Sequence, residues 1–83
     1  MRMSGTELKA IRRHLGLSLD EFAVELGYDG SPKNNRTTMR RFETGERPIS
    51  PPVARLAYMF LIFGLPGEWP EITEAEIAQE ESA

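Results

Sequence analysis

The chain reads Asn-Asn-Arg-Thr-Thr-Met-Arg-Arg-Phe-Glu-Thr-Gly-Glu-Arg-Pro from Asn34 to Pro48, and this stretch decides the fold. Met39 and Phe42 are three residues apart, so a helix places them on one face. Arg36 and Arg40 are four residues apart and share a different face. The spacing therefore predicts a short helix with one apolar side and one arginine-bearing side.

Strong start and stop signals define a second short helix immediately upstream. Ser18 and Glu21 have the spacing of a capping box, which satisfies two backbone amides at a helix start. Gly27 ends this helix, and Gly45 ends the arginine-bearing helix. Two short helices joined closely, the second presenting Arg and Thr, are the pattern of a helix-turn-helix.

The sequence alone does not decide at which residue two of the helices begin. The arginine-bearing helix can begin with Ser31 as its cap and a proline as its first residue. Alternatively, Asn34 or Asn35 is the cap. Ser4 and Thr6 are both able to cap the first helix.

The periodicity predicts an all-α, compact four- to five-helix bundle. Residues 1–3 are expected to be frayed, Leu65–Pro70 irregular, and Glu74 to about Gln79 a weak acidic helix. We divide the chain into a helix-turn-helix domain, 1–67, and an acidic tail, 68–83. The fourth helix carries a predicted inward stripe of Val53, Leu56, Ala57, Phe60 and Leu61.

Composition narrows the class of protein. The chain has no Cys and a single His, so it lacks the ligands of a structural zinc site and the thiols of a disulfide. The lack of Cys fits a cytoplasmic protein. The longest apolar run, Leu56–Phe63, is far shorter than the roughly 20 residues of a membrane span. We expect no metal, no cofactor, no membrane partner and no enzymatic activity.

Charge is distributed unevenly along the chain. The net charge is -3, but residues 1–67 contain ten Lys/Arg and seven Asp/Glu. Residues 68–83 contain six Glu and no basic residue. A mildly basic body is compatible with nucleic-acid binding, because the distribution of charge matters more than its sum.

Residues 6–63 resemble the lambda-repressor-like (Xre-type) helix-turn-helix family. The resemblance rests on Leu15-Gly16-Leu17-Ser18, Glu21-Phe22-Ala23, Leu26-Gly27 and the run from Thr38 to Gly45. It implies that the third helix enters the major groove of double-stranded DNA. The chain departs from the usual family pattern at two places. The connection over residues 28–34 is longer, and Leu19 stands where relatives often carry Gln or Arg.

The resemblance also implies individual roles. Arg12 and Glu43 would form an ion pair that fixes the recognition helix. The residues expected to read base edges are Arg36, Thr37 and Arg41. Those expected to contact phosphates are Lys33, Arg40, Thr44, Arg47 and the amides after Ser18.

The fourth helix is more apolar than one small core needs. We therefore expect a homodimer whose interface contains Met59, Ile62, Phe63 and Trp69. The expected function is a transcriptional regulator, a repressor or autoregulator on a palindromic operator. The alternative is an antitoxin-like interaction module that binds a protein partner through its C-terminal tail.

Overall fold

A computed structural model describes residues 2–69 and 72–82, apart from the side chains of residues 81 and 82. It confirms the all-α class, and the described residues contain no strand. Met1 of the predicted frayed start and Pro70 of the predicted irregular connection lie outside the described residues. The helices are α1 (Gly5–His14), α2 (Leu19–Glu25), α3 (Pro32–Glu43), α4 (Pro51–Phe63) and α5 (Glu74–Ser82).

Serine side chains cap the first three helices. Ser4 forms a capping box with Glu7, so Ser4 rather than Thr6 starts α1. Ser31 accepts a hydrogen bond from the amide of Asn34, and a proline follows it at the first helical position. α3 therefore begins about one turn earlier than an asparagine cap would place it.

The core lies between α1, α2, α3 and α4. α3 packs against both α2 and α1, and α1 also packs against α4. The most deeply buried large side chains are those of Leu8, Phe22 and Met39. The prediction of a frayed start is wrong at Met3, whose side chain is buried in this core.

The inward face of α4 differs from its predicted stripe. Leu61 was expected to be buried, but it is 38 % exposed. Ala54 is buried together with Ala57 and Phe60, at a spacing of three residues. This spacing points two alanines and Phe60 toward the core, while Val53, Leu56 and Tyr58 pack against its edge and the remaining large apolar residues of α4 are exposed.

α1 meets the C-terminal end of α3 without a side chain between them. A Cβ atom on Gly5 would overlap the carbonyl oxygens of Phe42 and Glu43. Only glycine permits this approach of two backbones. A second link joins α1 to α4, because the Tyr58 hydroxyl donates to the Glu7 carboxylate at 3.0 Å. That bond lowers the pKa of Glu7 and raises the pKa of Tyr58.

The acidic C-terminal helix lies outside this core. α5 extends to Ser82, beyond the predicted end near Gln79. The Thr73 hydroxyl accepts from the amide of Glu76 at its start. Every described side chain of α5 is exposed, including Ile77. In the described parts of the chain, no helix combines the length and apolar character needed to cross a membrane.

Candidate nucleic-acid interface

The outer face of α3 is a basic surface. Successive residues turn by about 100° around a helix axis, so Arg36 and Arg41 lie at opposite edges of this face, with Thr37 and Arg40 between them. All four side chains are exposed, while Met39 and Phe42 on the opposite side are buried. The exposed set also includes Lys33, Thr44 and Arg47.

Two hydroxyl groups on this face already donate to the backbone. Thr37 donates to the carbonyl of Lys33 at 3.0 Å. Thr44 donates to the carbonyl of Arg41 at 3.3 Å. These bonds fix the side-chain orientation, and the hydroxyl oxygens keep their capacity to accept.

An ion pair, absent from the sequence predictions, occupies one edge of the face. The Glu46 carboxylate lies 3.9 Å from Nε of Arg41. Both side chains are more than half exposed, so the pair is screened by water and weak. The Arg47 guanidinium stacks over the Phe42 ring, 5.3 Å from its centroid. Lys33, Arg36 and Arg40 form no ion pair within residues 2–69 and 72–82.

Arg12 and Glu43 tie the end of α3 to α1. The Arg12 guanidinium binds the Glu43 carboxylate through Nε at 2.8 Å and Nη2 at 3.1 Å. Nη1 donates to the carbonyl of Leu17 at 3.0 Å, in the turn between α1 and α2. The two side chains are only 14 % and 6 % exposed, so water barely competes for them. Because the pair is directed inward, it does not form part of the basic outer face of α3.

The start of α2 is less suited to phosphate than the sequence suggested. The Ser18 hydroxyl accepts from the amide of Glu21 at 3.3 Å and donates to Asp20 at 3.0 Å. Two carboxylates thus surround the first turn of this seven-residue helix. Their negative charge opposes an incoming phosphate.

The residues expected at a dimer interface form an exposed apolar surface. Phe63 is 78 % exposed and Ile62 is 69 % exposed, and Met59 lies on the same side of α4. Trp69 is also largely exposed, but it contacts its own chain. Its indole N–H donates to Glu25 at 3.3 Å, and its ring meets Phe60 edge-on at 6.1 Å. Trp69 thereby anchors the connection that follows α4.

Sequence reasoning missed three residues that shape this region. Glu46 partners Arg41, Gly5 sets the approach of α1 to α3, and Asn35 is buried between α2 and α3. The opposite charges of Arg41 and Glu46, on the two sides of the helix-ending Gly45, could have predicted their ion pair from the sequence. The other two depend on contacts between distant segments.

The described part of the chain contains no group of three or more His, Cys, Asp or Glu residues arranged to hold a metal ion. No protein-family model, no curated protein and no solved structure matches the chain.

Proposed function

We propose that this chain is a sequence-specific double-stranded DNA-binding regulator. α3 acts as the recognition helix of a helix-turn-helix formed with α2. Arg36, Thr37 and Arg41 read base edges. Arg40, which was expected to contact a phosphate, lies between these residues on the face of α3 and is a fourth candidate reader. Lys33 and Arg47 hold phosphates on either side of the reading helix.

One observation supports this proposal most directly: α3 holds an exposed, positively charged face in a fixed orientation. Five Lys/Arg lie between residues 32 and 47, all of them exposed. Of the two Glu in that range, Glu43 is turned inward onto Arg12. A face with fixed orientation and positive charge complements the phosphate backbone on both sides of a major groove.

A homodimer fits both the surface of α4 and the expected operator. Met59, Ile62 and Phe63 form an uncharged patch, because the chain has no charged residue between Arg55 and Glu68. Such a patch can meet its own copy across a two-fold axis without repulsion between like charges. Two copies of α3 would then enter successive major grooves, roughly 34 Å apart. Occupying a promoter in this way represses transcription by occlusion.

The exposed acidic tail supports a second candidate, the antitoxin-like interaction module. Ile72 and Ile77 are exposed beside acidic side chains, a combination that suits a partner with a basic, partly apolar groove. Deleting residues 71–83 separates the two functions, because a tail that acts as an interaction module should lose its protein partner while DNA binding persists. Loss of DNA binding on deletion would show that the tail is needed to bind DNA. Retained DNA binding agrees with the proposed division into a DNA-binding domain and an acidic tail.

Selection of bound duplexes from a random-sequence pool tests the proposed function. We expect enrichment of an inverted repeat with half-sites about one helical turn apart. Recovery of unrelated sequences at every round would contradict sequence-specific binding.

A further inference from the structure

A groove of about 320 Å³ runs between α2 and the start of α3. Three carboxylates line it, those of Asp20, Glu21 and Glu25. Val24 contributes an exposed apolar side chain, and Asn35, a largely buried residue, contributes its amide. The groove is therefore anionic with an apolar surface, unlike the cationic outer face of α3.

The amide of Asn35 is the feature that indicates a ligand. This residue is only 4 % exposed, and its backbone N–H is satisfied by the carbonyl of Ser31 at 2.8 Å. Its side chain makes no hydrogen bond to any residue that the structure describes, yet it lines the groove. Among the described residues no side-chain N or O atom is both fully buried and unpaired, so the Asn35 amide reaches the surface of the groove, where a ligand group can pair with it.

Each carboxylate retains an oxygen for a ligand. Asp20 uses Oδ1 to accept from the Ser18 hydroxyl, and Glu21 uses Oε1 to accept from the Ser18 amide. Glu25 uses Oε2 to accept from Trp69. Within residues 2–69 and 72–82, the second oxygen of each group has no hydrogen-bond donor. The groove thus offers several acceptors and one apolar contact.

We propose that this groove docks an arginine side chain carried by a segment of a partner protein. The aliphatic stem would pack on Val24, and the guanidinium would bind Glu25 and the amide oxygen of Asn35. Arginine fits because it supplies five donors and no acceptor in a planar group. A nucleic acid does not fit, because its phosphates would meet carboxylates. The groove is thus a protein-docking surface separate from the proposed DNA face.

A matched pair of peptides tests the docking site on the full chain. The probe is the capped peptide acetyl-Ala-Leu-Arg-Ala-Leu-amide, and its control replaces Arg with citrulline, which has nearly the same shape without the charge. The arginine peptide should saturate with a Kd below about 1 mM, shifting the side-chain NH₂ signals of Asn35 in an NMR titration and the fluorescence of Trp69. The citrulline peptide should bind at least about tenfold more weakly.

Two glycine variants test the location without changing charge. A Cβ on Gly30 would lie 3.1 Å from Oδ1 of Asn35, so Gly30→Ala crowds the amide. Gly67→Ala is the matched control, because a Cβ there meets no atom within 4 Å. Gly30→Ala should weaken peptide binding at least about fivefold, and Gly67→Ala should leave it unchanged. Glu25→Gln should weaken binding in the same way. Equal binding of the citrulline peptide, no saturation by about 1 mM, or insensitivity to Gly30→Ala would overturn the proposal.

Discussion

The Arg12 guanidinium on α1 and the Glu43 carboxylate at the end of α3 are joined by two hydrogen bonds of 2.8 and 3.1 Å. Arg12 also holds the carbonyl of Leu17. One side chain thus connects the first helix, the turn that follows it, and the end of the proposed recognition helix. The orientation of α3 depends on this connection.

Removing the charge of Glu43 should destabilise the protein strongly. Glu43→Gln leaves the Arg12 guanidinium nearly buried beside a neutral partner, which should cost about 3 kcal/mol of unfolding free energy. Urea denaturation measures the change. Glu46→Gln is the matched control, because the ion pair it breaks is exposed and should cost less than about 1 kcal/mol. Equal losses of unfolding free energy in the two variants would contradict a larger contribution from the nearly buried Arg12–Glu43 pair.

Adding one methyl group at Gly5 should also destabilise the fold. A Cβ there collides with the carbonyl oxygens of Phe42 and Glu43, so α1 must move away from α3. We expect Gly5→Ala to lower the unfolding free energy by about 1–3 kcal/mol, again measured in urea. Gly67→Ala, which meets open space, should change it by less than about 0.5 kcal/mol. A Gly5→Ala variant as stable as the unmodified chain would contradict the close approach.

Of the two contacts that these variants test, the Arg12–Glu43 pair was expected from the family resemblance, and the close approach at Gly5 was not expected from the sequence. Local signals located the capping residue Ser18, the helix-ending Gly27 and Gly45, and the apolar face of Met39 and Phe42, because caps and periodicity depend on residues only a few positions apart. The cap of α1 stayed open between Ser4 and Thr6. The prediction for Leu61 failed because periodicity alone cannot tell which apolar side of α4 meets a small core. Asn35 was considered only as a cap, since its burial depends on α2 packing beside it.

Neutralising Glu46 should strengthen DNA binding. Its carboxylate restrains Arg41 and repels phosphates at one edge of the α3 face. Glu46→Gln should raise affinity for duplex DNA several-fold, with a smaller gain at high salt because these exposed charges are then screened. Fluorescence anisotropy over a range of salt concentrations measures both quantities. Glu68→Gln changes the net charge equally at a site after α4, and the same gain in both variants would rule out a local effect.

Disrupting the apolar patch on α4 should dissociate the proposed homodimer. Phe63 and Ile62 project into solvent, and Phe63→Ser removes the most exposed large apolar side chain of α4. In sedimentation equilibrium at micromolar concentration, we expect a dimer for the unmodified chain and a monomer for Phe63→Ser. Val24→Ser removes an exposed apolar group far from α4 in the sequence and should leave the dimer intact. A monomeric unmodified chain would contradict the proposed assembly.

The affinity of α3 variants for a duplex selected by this protein tests the central claim most directly. Arg36→Ala and Arg41→Ala should each cost about 1–3 kcal/mol of binding free energy and relax sequence preference. Lys33→Ala should instead weaken binding to all sequences and reduce the salt slope by about 1. Arg13→Ala is the control, because Arg13 is an exposed arginine on α1 and its loss changes the net charge equally. The account predicts that Arg13→Ala binds like the unmodified chain, whereas equal affinity of all four variants would contradict DNA recognition by α3.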